Sequence, residues 1–154
     1  MTTYYADSSA LVKRYVNETG SAWIQSLCEP SSEHVIALAH IGLVEIAAAL
    51  AMKVRQEVLS PTIRDNLLRD VRRDAQSQYW LIDVDYSIIQ HAMELTRQYK
   101  LRGYDAIHLS AALFLYETLV QAQLPAPVLI CADNDLLIAA EAVGLSTINP
   151  NTYS

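Results

Sequence analysis

What most constrains this chain is a regular alternation of short β-prone runs with longer stretches of helical periodicity. Thr2 to Ala6 is β-prone and meets Asp7-Ser8-Ser9 at once, as a strand running into a capped helix that carries Leu11, Val12, Tyr15 and Val16. A helical stretch with Trp23, Ile24 and Leu27 ends at Pro30, and His34 to Ala39 reads as a second strand. From Ile41 to about Arg55 the spacing predicts a helix with the apolar stripe Ile41, Val44, Ala48, Ala51 and Met52. Ser60-Pro61 opens a long helix with an apolar stripe at Ile63, Leu67, Val71 and Ala75. Its other face holds Arg64, Asp65, Arg69, Asp70, Arg72, Arg73 and Asp74.

Leu81 to Val84 reads as a strand, and Ile88, Ala92, Leu95 and Tyr99 mark one face of the next helix. Gly103 is expected to break the chain before a helix from Asp105 to about Gln123. Val128 to Cys131 is an apolar run of the kind buried on both faces. A helix from Asn134 to Val143 follows, then Gly144 at its end and a last strand over Ser146 to Ile148. Parallel neighbours need helical crossovers, so the alternation predicts an α/β fold with a mostly parallel sheet and helices on both faces. No linker or internal repeat divides the chain, which reads as a single domain over 1–154.

With 154 residues, 52% of them hydrophobic, the chain can bury a core without staples, which excludes intrinsic disorder and disulfide scaffolds. Cys28 and Cys131 lie far apart, and the N-terminal residues lack the pattern of a secretory leader. The longest apolar stretch, Ile41 to Met52, is too short to span a bilayer and contains Glu45. The expectation is a cytoplasmic protein with reduced thiols.

The formal charge of −6 argues at first against a nucleic-acid partner. The acidity is local, however: residues 103–154 hold five acids and no Lys or Arg, whereas residues 53–73 hold six basic residues and three acids.

Ligands of an open parallel sheet bind beyond the carboxyl ends of the strands, so acids just after strands come first. Asp7 follows the first strand and Asp133 follows the Val128 to Cys131 strand. A helix cap is the alternative role of each. Glu45 has Ile41, Gly42, Ala48 and Ala49 as its helical neighbours and no local Lys or Arg, with a snorkelling surface Glu on a rolled helix as its alternative role. Asp105 heads the core-facing side of its helix, with Arg102 three residues earlier and helix capping as its alternative role.

Four carboxylates meeting at one site would repel one another, and a divalent cation removes the conflict. All-oxygen donors suit Mg²⁺ or Mn²⁺, and the two cysteines and four histidines show no zinc spacing. Such a cage polarises a phosphoryl oxygen and activates water, which implies phosphodiester hydrolysis. A phosphatase or phosphorelay receiver would want another acid two residues after Asp7, where this chain has Ser9.

At these residues the sequence resembles the PIN-domain ribonucleases, specifically the VapC-type toxins of toxin–antitoxin pairs. The resemblance is carried, in the family's order, by Tyr5-Ala6-Asp7-Ser8-Ser9-Ala10-Leu11, Leu43-Val44-Glu45-Ile46-Ala47-Ala48, Gly103-Tyr104-Asp105-Ala106-Ile107-His108 and Cys131-Ala132-Asp133-Asn134-Asp135. It implies a PIN-like three-layer α/β/α sandwich and an endoribonuclease that uses Mg²⁺ or Mn²⁺. It also implies Asp7, Glu45, Asp105 and Asp133 as the catalytic metal ligands, and Ser9 as a supporting hydroxyl. The implied partners are an RNA substrate and a cognate antitoxin, and the implied assembly is a homodimer or higher. A PIN-like module that binds RNA or protein without catalysis is the alternative; loss of one or two acids would be its signature. Where the family commonly has Ser or Thr two residues before the last acid, this chain has Cys131.

Other residues read more plainly. Asp135 is expected to cap its helix, with a supporting contact to the site as its other role. His108, on an apolar helix face, reads as a satisfied core residue outside the catalytic set. The Arg64 to Arg73 cluster interleaves with acids as a solvated, salt-bridged face. Tyr4, Tyr5, Tyr15 and Tyr104 offer rings for base stacking, but core or interface packing is the commoner use of such residues.

Overall fold

The computed structural model describes residues 1–154 and centres on a five-stranded sheet in which every pairing is parallel. The strands are β1 (Thr3–Ala6), β2 (Val35–Ala39), β3 (Tyr79–Ile82), β4 (Val128–Ile130) and β5 (Ser146–Ile148), in the order β3-β2-β1-β4-β5. The helices are α1 (Ser8–Leu11), α2 (Ser21–Cys28), α3 (His40–Arg55), α4 (Pro61–Ser77), α5 (Tyr86–Gln98), α6 (Gly103–Gln121) and α7 (Asn134–Ala142). No helix is long and apolar enough to cross a membrane.

Successive strand residues point to opposite faces, and the two halves of the core follow that alternation. Tyr5, Ala37, Ala39 and Leu129 pack with Leu95 of α5, Leu109 and Leu115 of α6 and Leu136 of α7. Ala6, Ile36, Leu38 and Ile130 pack with Leu11 of α1, Ile24 of α2, Ile46 and Leu50 of α3 and Val71 of α4. The result is the expected three-layer α/β/α arrangement. Each fully buried Leu contributes roughly 1.5–3 kcal/mol.

The strand order reverses between β1 and β4, since β1 to β3 wind one way and β4 to β5 the other. That switch point opens a crevice beyond the carboxyl ends of β1 and β4, where Asp7 and Asp133 begin their helices.

Four local expectations are corrected. Strand β3 begins at Tyr79, two residues before the expected start, because the Tyr79-Trp80 pair is taken into the ladder opposite Ile36 and Ala37. On α3 the buried residues are Gly42, Ile46 and Leu50, while Val44, Ala48 and Met52 of the expected stripe are exposed. Gly103 does not interrupt the chain: it is the first residue of α6, and a Cβ there would meet nothing.

Asp74, expected on the solvated face of α4, is buried at the amino end of the sheet. Its Oδ2 accepts from the Tyr15 hydroxyl at 2.9 Å and lies 3.4 Å from Arg14, and its Oδ1 accepts two bonds from Arg73. The Tyr15 and Tyr79 hydroxyls bond to each other, and Tyr79 also accepts from Arg14 at 2.7 Å. A buried carboxylate is tolerated only when paired in this way. The rest of that face is the expected salt-bridged surface, with Arg64 on Asp65 and Arg73 on Asp70.

Candidate active site

Asp7 is at once a helix cap and a site residue. Its Oδ1 accepts from the Ala10 amide at 3.0 Å and from the Ser9 hydroxyl at 2.7 Å, and no hydrogen bond reaches Oδ2. Since no buried side-chain polar atom lacks a partner, Oδ2 is the oxygen of Asp7 that keeps contact with solvent. Ser9 in turn accepts from the Ala132 amide at 2.9 Å, tying Asp7 to the turn after β4. Burial, together with the charge of Glu45, pushes the Asp7 carboxyl up to about 6 despite the opposing pull of His108, Ser9 and Ala10.

Glu45 reaches the site from α3 and lacks a Lys or Arg, as its sequence neighbours imply. Its partner is His108 of α6, whose Nε2 lies 2.5 Å from Glu45 Oε1. The other ring nitrogen, Nδ1, lies 2.7 Å from the Tyr5 hydroxyl, which already accepts from the Ala39 amide. Tyr5 therefore has its proton to give to Nδ1, which puts the proton of the neutral ring on Nε2, facing Glu45. Burial pulls the His108 pKa down, but the Glu45 hydrogen bond and the charges of Asp7, Glu45 and Asp105 carry it above the ordinary value. His108 is buried as expected, and it also aims a site carboxylate. Gly42 makes room for it: a Cβ there would come within 2.7 Å of Leu38 and 3.4 Å of the His108 ring.

Asp133 caps α7 through Oδ1, which accepts from the Leu136 amide at 3.0 Å, and turns Oδ2 to Arg102 Nη2 at 3.2 Å. Asp105 lies in the first turn of α6 and is not its cap, for Arg102 holds that position without a side-chain bond. Its Oδ2 is 3.4 Å from Arg102 Nε. Burial and the charge of Asp133 raise the Asp105 carboxyl, against the pull of Arg102.

Asp135 does not cap α7, because Asp133 does; it stands in the first turn, 3.5 Å from Lys100 Nζ. Cys131 is buried, its Sγ bonded to the Asp133 carbonyl at 3.5 Å, and burial raises its pKa. Of the four tyrosines singled out, Tyr104 alone is well exposed; it borders a small cavity with Glu45 and Val44.

Asp7 feels the charge of Glu45 and Asp105 that of Asp133, and no group of three or more acid, histidine or cysteine side chains is spaced to hold a metal ion. The expected convergence is relieved pairwise instead, with Arg102 spanning Asp105 and Asp133 while His108 holds Glu45. The chemistry of the donor set still fits Mg²⁺ or Mn²⁺: all donors are oxygens, one oxygen of Asp7 is unbonded, and two carboxyls are raised by burial and mutual repulsion that a cation would relieve. Sequence reasoning missed the roles of Tyr5 and His108, since nothing in spacing links residues so far apart. The Arg102–Asp105 contact was legible as a three-residue helical spacing.

Beside the crevice, α3 and α4 leave an apolar groove of about 530 Å³ lined by Leu43, Val44, Ala47, Leu68, Ala75 and Leu81.

No family model matches the chain. Two curated ribonucleases of Mycobacterium tuberculosis, VapC45 and VapC49, are each 32% identical to it over 117 residues, covering 73% of this chain and 76% of the relative. Among solved structures, PAE2754 from Pyrobaculum aerophilum superposes with a TM-score of 0.65 at 18% identity, covering 98% of this chain and 91% of its own. A toxin–antitoxin complex from Klebsiella pneumoniae gives 0.61 at 18% identity, covering 96% and 97%. VapBC2 from Rickettsia felis, bound to a DNA fragment from its promoter, gives 0.62 at 13% identity, covering 96% and 98%. The structures share the fold; the curated relatives, at 32% identity over most of both chains, place the chain in a family. It belongs to the VapC family of PIN-domain ribonucleases.

Proposed function

We propose that this protein is a metal-dependent endoribonuclease that hydrolyses RNA phosphodiester bonds, the toxin of a toxin–antitoxin pair, acting as one PIN-like domain over residues 1–154. The observation that carries the reading is the Asp7 carboxylate, buried at the switch point of a parallel sheet with one oxygen free of hydrogen bonds and within reach of the Glu45 charge. Asp7, Glu45, Asp105 and Asp133 would hold Mg²⁺ or Mn²⁺. When bound, the ion supplies a Lewis acid for the phosphoryl oxygen and lowers the pKa of water.

The chain's own residues orient that set. Ser9 fixes the rotamer of Asp7 and locks it to the β4–α7 turn. Tyr5 and His108 aim Glu45. Asp133 is held by its own helix, and Asp135 stands beside it as a supporting acid that engages Lys100.

The Klebsiella toxin–antitoxin complex and Rickettsia VapBC2, which share this fold, support a protein antitoxin as partner. The α3–α4 groove, which reaches Val44 beside Glu45, suits an apolar segment of such a partner. Exposed Met93, Phe114, Val120 and Leu124 on and after α5 and α6 support a homodimer. Free, buried Cys28 and Cys131 agree with a cytoplasmic location.

The test is cleavage of total cellular RNA by the purified protein, with Mg²⁺ or Mn²⁺ and with EDTA, beside Asp7→Asn and Asp105→Asn. Cleavage that needs metal and both acids is expected. Variants that cut like the parent, or cutting in EDTA, overturn the metal-nuclease reading; RNA binding without cleavage under any condition favours the non-catalytic module.

A further inference from the structure

Two cations are ion-paired to acids at the crevice, and both come from the loop between α5 and α6. Arg102 places Nε 3.4 Å from Asp105 and Nη2 3.2 Å from Asp133, and its side chain is 82% exposed. Lys100 pairs with Asp135 and is 89% exposed. The two residues line a cleft of about 380 Å³ with Thr96, Tyr99, Asp105 and Asp135. No Lys or Arg follows Arg102 in the chain. The other ion-paired Lys and Arg side chains engage Glu18, Asp65, Asp70, Asp74 or Glu94, none of them at the crevice.

The Arg102 contacts are of a kind that exchanges. Each acid receives one nitrogen at the long end of the hydrogen-bonding range, so neither contact is the bidentate fork in which a guanidinium is strongest. Exposed pairs of this sort are weak and open readily. A divalent cation on Asp105 and Asp133 would take the same oxygens and repel the guanidinium. The freed side chain then has the open cleft and Lys100 beside it, and a phosphodiester offers the planar, bidentate acceptor that Arg prefers.

We propose that Arg102 is an internal counter-ion that yields Asp105 and Asp133 to the metal and then, with Lys100, grips a phosphate of the bound RNA strand. The inference rests on the metal-nuclease reading of the site. It makes Arg102 a residue that exchanges partners when the site loads, and it gives the acidic crevice its hold on a polyanion.

The test measures Mn²⁺ affinity by electron paramagnetic resonance on the full chain, and affinity for a short fluorescein-labelled single-stranded RNA with Ca²⁺ replacing Mn²⁺ to slow cleavage. Arg102→Gln is expected to bind Mn²⁺ about three- to tenfold more tightly, because a competing cation has gone. The same variant is expected to bind RNA more weakly. Its slope of log affinity against log salt, between about 50 and 200 mM, should be shallower by about 0.7, and that of the double variant Lys100→Gln/Arg102→Gln by about 1.4. Arg102→Lys should keep the parent's slope. Arg102→Gln with Mn²⁺ affinity equal to or weaker than the parent's, or with the parent's salt slope, overturns the proposal. Failure of the underlying reading shows separately, as Mn²⁺ affinity that Asp105→Asn leaves untouched.

Discussion

Asp7 should make the metal-free protein less stable than its own isostere. The carboxyl is buried and pushed from 3.8 up to about 6, so between those values the native state holds a proton that the unfolded chain has released. Stability therefore falls as pH rises through that window and stays reduced above it. A shift of about two units corresponds to a cost of about 3 kcal/mol above pH 7. Asp7→Asn keeps an oxygen to accept from Ser9 and Ala10 and carries no charge. In EDTA the variant's advantage over the parent should grow from near zero below about pH 4 to as much as about 3 kcal/mol at pH 7, or roughly 6–12 °C in Tm for a chain of this size. Urea denaturation of both proteins across pH measures the difference. Saturating Mn²⁺ should reverse the order, since ligand binding stabilises only the parent. A stability difference that does not change with pH, or a variant less stable than the parent at pH 7 in EDTA, refutes the reasoning.

Tyr5→Phe removes the acceptor of the Ala39 amide and the donor to His108; we expect a loss of about 1–3 kcal/mol in denaturant unfolding and a lower kcat at saturating metal, because the His108 ring that aims Glu45 is no longer fixed. Asp74→Asn leaves the largely buried Arg14 guanidinium without its anion, and should cost about 3–5 kcal/mol in stability while RNA cleavage by the folded fraction stays at the parent's rate.

The elements were legible where a single periodicity or turn signal decided them. Ser60 caps its helix, Gly144 ends α7 with a positive φ, and Ile88, Ala92 and Leu95 face the core as their spacing predicts. Helix α3 was not legible in detail because it is apolar nearly all round. Periodicity finds the helix but cannot tell the face that meets the sheet, with Ile46 and Leu50, from the face left open with Val44 and Met52. Asp74 was hidden for a related reason, since its partners Tyr15 and Arg14 come from the far end of the sequence.

At the site, the acids announced themselves by following strands or by lacking local partners. What balances them did not: His108 lies 63 residues from Glu45, and Arg102 lies 31 from Asp133. Helix capping and site membership had looked like rival roles for Asp7 and Asp133. Each in fact caps with one oxygen, leaving the other for the crevice.

Asp7, Glu45, Asp105 and Asp133 are proposed here to form one metal site. Crystals soaked in MnCl₂ and measured for Mn²⁺ anomalous scattering test it most directly. A peak bounded by these four side chains is expected, with Arg102 withdrawn from Asp105 and Asp133. A crevice without a peak while Arg102 still spans the two acids, or a peak confined to other residues, would contradict it.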